Sequence, residues 1–224
     1  MSLGSLALGV DLGQAQDPSA LVCVQSYRPE PTHVGDWPEA RYLIRWVERI
    51  PLGTDYPRVV DRIATVGESA RPWGSTTIVL DGTGVGRPVV DLLKRSTSLP
   101  VRAVVFTAGD REAEPEYAVH RVPKRDLVTS LEVVLQTRRL EVVPDCPLQS
   151  ELAQELGAFD FSLNARGHDT YEAGRGSHDD LVAALSLSLW WLARQARADG
   201  WMQWEALRAA DPARYGPQPG DTLG

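Results

Sequence analysis

The sequence has only two cysteines in 224 residues, Cys23 and Cys146, and their spacing suits no metal. This excludes a disulfide scaffold and a thiolate zinc site, and reads as reduced thiols in a cytoplasmic protein. No apolar run is long enough to span a bilayer, because the longest, residues 181–193, is interrupted by Ser186 and Ser188. The N-terminus has no basic flank and no long apolar core, so no signal peptide is read there. Positive charge is in deficit: the formal net charge is -7. That counts against a tight autonomous grip on nucleic acid, although Arg87, Lys94, Arg95 and Arg102, Lys124 with Arg125, and Arg138 with Arg139 form local basic groups. No G-x-x-x-x-G-K-[ST] phosphate loop and no G-x-S-x-G elbow occurs. The stretch "DGTGVGRP" follows a strand pattern and opens a helix, but the third glycine of a dinucleotide fingerprint falls on Arg87.

What is present is an ordinary globular composition, 43% hydrophobic and 24% charged, enough for one large domain or two small ones. Residues 6–12, 19–28 and 40–50 read as three consecutive strands rich in Val, Ile, Tyr and Trp, hence an antiparallel meander. Helical spacing then runs over 56–73, followed by a buried strand at 76–81, a helix at 86–96 and a strand at 101–106. A helix over 123–137, a short strand at 139–143 and a helix over 148–156 come next. Residues 158–173 read as a hairpin with its turn at 164–167. The acids of "GDREAEPE" (109–116) stand apart as a charged segment. No repeat or long linker divides the chain. Residues 1–198 read as one α/β domain with a mixed sheet, and residues 199–224 as a short helix and flexible tail.

Acids end two of the strands. "GVDLG" places Asp11, and "VLDGTG" places Asp81, where ligand and catalytic groups gather in α/β sheets. If those strands are parallel neighbours, two carboxylates stand side by side, and either one takes a proton or a cation lies between them. Oxygen-only donors favour Mg²⁺ or Mn²⁺. A third acid comes from "GSHDDLVAALSLSLWWLA", where His178, Asp179 and Asp180 precede a long apolar helix. Acids at that junction face either a metal-bound cleft or simply the positive end of their own helix. Asp11 and Asp81 have their own bland alternative as turn formers before glycine. Trp190 and Trp191 read as core or as a partner face; His33 and His168 carry no role.

Taken in order, "GVDLG", "VLDGTGVG" and "HDDLVAALSLSL", with "VPKRDLVTSLEVVLQTRRLEV" between them, resemble the nuclease domain of the large subunit of tailed-phage terminases. The resemblance spans roughly residues 6–194. It implies a ribonuclease H-like fold of the Holliday-junction-resolvase type, with a five-stranded mixed central sheet flanked by helices and a small β-hairpin. It implies an endonuclease that cuts double-stranded phage DNA in the bacterial cytoplasm with two divalent ions, Mg²⁺ or Mn²⁺. Its acids fall on Asp11, Asp81 and the His178–Asp179–Asp180 cluster. Asp11 is then expected to bridge both ions, Asp81 to hold one and Asp180 the other, with Asp179 next in line and His178 ligating or orienting water. Lys124, Arg125 and Arg87 are the expected DNA contacts. Such subunits carry an ATPase domain ahead of the nuclease, so the chain reads as an excised domain or a prophage-encoded fragment. Its implied partners are that ATPase, the small terminase subunit and the portal, with no membrane. Two rival readings are an ATP-binding fragment of the actin and Hsp70 type, and an inactive domain that docks a motor partner.

Overall fold

The computed structural model describes residues 4–13, 17–30, 38–83, 86–107, 113–116, 118–159 and 179–210. Strands β1 (Gly4–Asp11), β2 (Ser19–Tyr27) and β3 (Arg41–Ile50) form the expected antiparallel meander. Helix α1 (Tyr56–Ser69) follows, capped by the Asp55 side chain, which accepts from the Arg58 N–H, and with proline tolerated in its first turn. Strand β4 (Gly74–Asp81) then pairs parallel with β1. Helix α2 (Gly86–Ser96) crosses back to β5 (Val101–Thr107), which pairs parallel with β4.

Two further strands were not foreseen. Strands β6 (Ala113–Glu116) and β7 (Val119–Pro123) extend the sheet beyond β5. Neither carries an apolar run, and the acids and Pro115 in the sequence of β6 suit an edge strand. Helix α3 (Lys124–Gln136), strand β8 (Leu140–Val142) and helix α4 (Gln149–Ala158) complete the middle of the chain. The sheet has eight strands, ordered β6-β7-β5-β4-β1-β2-β3-β8. The five strands β5-β4-β1-β2-β3 form its centre, so the five-stranded expectation fell short only at the edges. The expected hairpin at 158–173 lies almost wholly outside the described residues.

Helix α5 (Asp180–Ala210) runs on past the break expected at 198. Gly200 costs about 1 kcal/mol inside a helix, but strong helix formers on either side carry the backbone through it. Among the described residues no helix is long and apolar enough to cross a membrane.

Strand parity assigns the layers. Leu6, Leu8 and Val10 of β1, with Ile78 and Leu80 of β4, pack in one apolar cluster with α1 and α2. Ala7 of β1 and Val79 of β4 belong to the other cluster, with α3, α4 and α5. Side chains alternate along a strand, so Asp11 and Asp81, each two or four residues on, fall on the α5 face. Gly9 shares that face. A methyl there would collide with the Ala184 carbonyl of α5, so glycine permits the close approach. The buried Ser188 hydroxyl accepts from the Gly9 N–H at 2.7 Å and lies 2.9 Å from the Val22 carbonyl, to which it donates. Helix α5 is thereby fastened across β1 and β2, with its N-terminus beside the strand ends that carry the acids.

Candidate active site

Parity and register bring the two strand-ending acids together. Val10 pairs with Leu80 in the parallel β1–β4 ladder, so Asp11 and Asp81 leave the sheet as neighbours. They line one cavity of about 170 Å³ with Asp179, at the start of α5, and Lys124, at the start of α3. Phe106, Val128 and Val182 supply apolar wall. Burial, and then the charges of Asp81, Asp180, Asp179 and Asp17, push the Asp11 carboxyl up to about 7. Near neutral pH this group is therefore poised between a proton and a cation.

Asp81 does two jobs. Its Oδ1 accepts from the Thr83 N–H at 2.7 Å, and the Gly82 N–H donates to the Val104 carbonyl at 2.8 Å. The turn-forming alternative is thus real, and it coexists with a place on the cavity wall: the turn holds one carboxylate oxygen and leaves the other for the cavity.

The paired acids of α5 part company. Asp179 lines the cavity. Asp180 is buried, 4% exposed, and Arg49 grips it by both oxygens: Nε donates to Oδ2 at 2.8 Å and a terminal nitrogen donates to Oδ1 at 2.9 Å. The same guanidinium pairs with Glu155 of α4. Glu155 Oε2 in turn accepts from the Leu181 and Val182 N–H groups at 3.1 and 3.3 Å, capping α5 from a neighbouring helix. Burial and the Asp180 charge push the Glu155 carboxyl up to about 7, against the pull of Arg49. Asp180 still acts on Asp11, more strongly than Asp179 does. It therefore belongs to the same electrostatic unit although its oxygens point at Arg49.

Arg49 and Glu155 were missed in the sequence. Arg49 reaches the α5 face through a β-bulge: Val24 pairs with Ile44, but Cys23 pairs with Trp46, so Arg45 is passed over. Without that extra residue Arg49 would point at α1. Glu155 left a signal, an acid on the buried stripe of α4 beside Leu152.

The other expected site residues fall as follows. Lys124 lies on the cavity. Arg125 is not part of its wall and stands 3.7 Å from Asp126. His178 lies outside the described residues, and so does the side chain of Arg87. Among the described residues no three His, Cys, Asp or Glu side chains converge closely enough to hold an ion between them. Asp11, Asp81 and Asp179 instead ring a cavity. The donor chemistry nevertheless fits a hard divalent cation: the donors are carboxylate oxygens, and Asp11 is held in an unfavourable negative field that a cation would relieve.

No family model matches this sequence, and no curated protein does. Solved structures do resemble it. The fold is similar to that of the large terminase nuclease from thermophilic phage G20c with bound cobalt. The TM-score is 0.57 at 20% identity, over 83% of this chain and 80% of that one. The same nuclease with bound magnesium gives 0.56 at 20% identity, over 84% and 82%. The human cytomegalovirus terminase nuclease domain gives 0.52 at 12% identity, over 82% and 81%. At such identities the likeness establishes the fold. The chain has the ribonuclease H-like fold of terminase nuclease domains, here on an eight-stranded sheet.

Proposed function

We propose that this chain is the metal-dependent endonuclease domain of a phage or prophage DNA-packaging terminase, and that it hydrolyses phosphodiesters in double-stranded DNA with two Mg²⁺ or Mn²⁺ ions. The observation that carries the reading is the meeting of Asp11, Asp81 and Asp179 at one cavity, at the strand ends where this fold gathers its chemistry. The G20c nuclease binds cobalt and magnesium in the same fold, which supports a divalent ion here. The nuclease unit would be residues 1–198, with 199–224 an appendage. Its setting would be the cytoplasm of a bacterial host, beside an ATPase domain, a small terminase subunit and a portal.

Asp11 is central in the sheet and would be shared between the ions, with Asp81 on one side. On the α5 side the cavity favours Asp179 as the direct ligand, and Asp180 would contribute charge while Arg49 holds it. Bound ions would supply Lewis-acid neutralisation of the charge that builds on the scissile phosphate and its leaving oxygen. Lys124 would contact a neighbouring phosphate, adding positive charge at the lip of an otherwise acidic cavity. The apolar wall limits bulk water and so strengthens each of these interactions.

The test is a supercoiled-plasmid assay. The parent protein is expected to nick or linearise plasmid with Mn²⁺ or Mg²⁺, and EDTA should stop it. Asp11→Asn and Asp81→Asn should leave only background, and Asp179→Asn should lose more activity than Asp180→Asn at equal folded concentration. Cleavage that persists in EDTA, or an Asp11→Asn protein that cuts at the parent rate, would refute the assignment.

A further inference from the structure

A second charged cavity lies at the opposite end of the same sheet face. Strand β2 ends there at Tyr27 and β3 begins there at Arg41. Helix α5, which starts at the acid cavity, reaches it near Arg197. From Asp180 that is about 25 Å along the helix axis, at roughly 1.5 Å per residue. The cavity has a volume of about 360 Å³ and opens between β3, α3 and α5. Arg28, Arg139 and Arg197 line it, with Thr129 and Ser130 on the α3 side and the buried Tyr42 in its wall.

The positive charge here is in surplus. Among the described lining residues Glu39 is the only carboxylate; its side chain is 71% exposed and 3.3 Å from Arg139. Two of the guanidinium groups are held by neutral acceptors. Arg28 donates to the Pro38 carbonyl at 3.0 Å and to the Ala196 carbonyl at 3.2 Å. Arg139 donates to the Thr137 hydroxyl at 2.7 Å and to the Ala40 carbonyl at 3.3 Å. Carbonyl and hydroxyl acceptors orient a guanidinium without cancelling its charge. Arg197 has no carboxylate partner among the described residues. All three side chains line this one cavity, beside the buried Tyr42.

Guanidinium forks match the oxygen geometry of phosphate; the Ser130 hydroxyl is already engaged, donating to the Asp126 carbonyl at 2.8 Å, so the arginines supply the recognition. We propose that this cavity is a phosphate anchor: it seats one backbone phosphate of the duplex while the strand is cut at the acid cavity about 25 Å away. The inference rests on the nuclease reading for the identity of the substrate. The separation corresponds to about seven base pairs at ~3.4 Å per pair, well within the length of one bound duplex. It also explains how a chain of net charge -7 engages a polyanion: the anchor gathers positive charge at one end, which the net figure averages away.

Duplex binding can be measured without cleavage, in EDTA, by fluorescence anisotropy with a labelled 20-base-pair DNA over a range of NaCl. Arg28→Ala and Arg197→Ala are expected to weaken binding about five- to tenfold each. Each should also lower the slope of log affinity against log salt by about one. Arg58→Ala, exposed on α1 across the sheet, should change neither quantity. With Mn²⁺ present, the anchor variants should raise KM and leave kcat near the parent value. Because binding is read without metal, a failure of the nuclease chemistry would not hide the anchor. Unchanged affinity and salt slope in both variants would overturn the proposal. So would an arginine-dependent site for inorganic phosphate, or for an acidic peptide, that leaves duplex binding untouched.

Discussion

The two ends of α5 carry opposite surpluses of charge, held in opposite ways. At its start, Asp11, Asp81, Asp179, Asp180 and Glu155 gather with Arg49 and Lys124 as the cations on hand. At Arg197, three guanidinium groups gather with Glu39 as the acid on hand. The acid surplus is enclosed, so it strains the fold: burial and mutual repulsion push both Asp11 and Glu155 up to about 7. At the basic end Arg28 and Arg197 are exposed, and the more enclosed Arg139 is held by Glu39, the Thr137 hydroxyl and the Ala40 carbonyl, so the surplus costs the fold little. A net charge averages these ends away. One end is destabilised until a cation arrives, whereas the other merely waits for an anion.

The sharpest way to break the contrast is to neutralise the acid end. Asp11→Asn should lower Mn²⁺-supported plasmid cleavage about a thousandfold or more, the scale of some 4 kcal/mol of lost transition-state stabilisation. The metal-free melting temperature should stay the same or rise, because a repelled carboxylate has gone. A melting temperature that falls, with activity kept, would make Asp11 a structural cap.

Removing the cation that restrains the acid end should act in the opposite sense. Arg49→Gln leaves Asp180 and Glu155 buried without their partner. Urea unfolding without metal should show a loss of about 2–3 kcal/mol, moderated because the Arg49 side chain is 26% exposed. The equivalent change at the basic end, Arg197→Ala, should leave the urea midpoint where it is.

pH offers a gentler probe. Asp11 and Glu155 have folded values near 7, above the ordinary carboxylate range, so between about pH 4 and 7 the folded state binds more protons than the unfolded one. Stability of the metal-free protein must then fall as pH rises through that window. From pH 5.5 to 8 the expected loss is about 2 kcal/mol, less than a full conversion of the shifts, because the cavity mouth is solvated. Asp11→Asn should flatten the profile, and saturating Mn²⁺ should reverse it. A profile that rises with pH in the metal-free parent would contradict this picture of the acid end.

The smallest effect concerns the fastening between the two ends. Ser188→Ala removes the hydroxyl that meets the Gly9 N–H and the Val22 carbonyl. The expected loss is about 1 kcal/mol in urea, with cleavage reduced only modestly.

Much of this was legible before the fold was known. Asp11 and Asp81 stand out because each closes an apolar strand pattern before a glycine, but that their strands are parallel neighbours was only a condition until the β1–β4 ladder met it. Asp179 and Asp180 could be placed at a helix start but not told apart. Which of two adjacent acids faces the cavity depends on the helix phase set by Ser188 on Gly9 and by the Glu155 cap. Arg49 was hidden because the bulge at Arg45 inverts the strand parity on which a face assignment relies. Strand β6 was hidden because edge pairing asks little of side chains, and β7, an inner strand between β5 and β6, because its five residues carry only two valines. The basic cavity joins Arg28, Arg139 and Arg197, far apart in sequence, so only the meeting of β3, α3 and α5 shows it.

The central claim is that the acid cavity takes a divalent cation through Asp11. Titration calorimetry with Mn²⁺ at pH 7, run in two buffers of different ionisation enthalpy, tests it most directly. The parent should bind Mn²⁺ and release protons, because an Asp11 carboxyl held near 7 must lose its proton to become a ligand. Asp11→Asn should lose most of the binding heat and all of the proton release. A parent that binds no Mn²⁺, or an Asp11→Asn variant that binds it with the parent's affinity and proton release, would contradict the account.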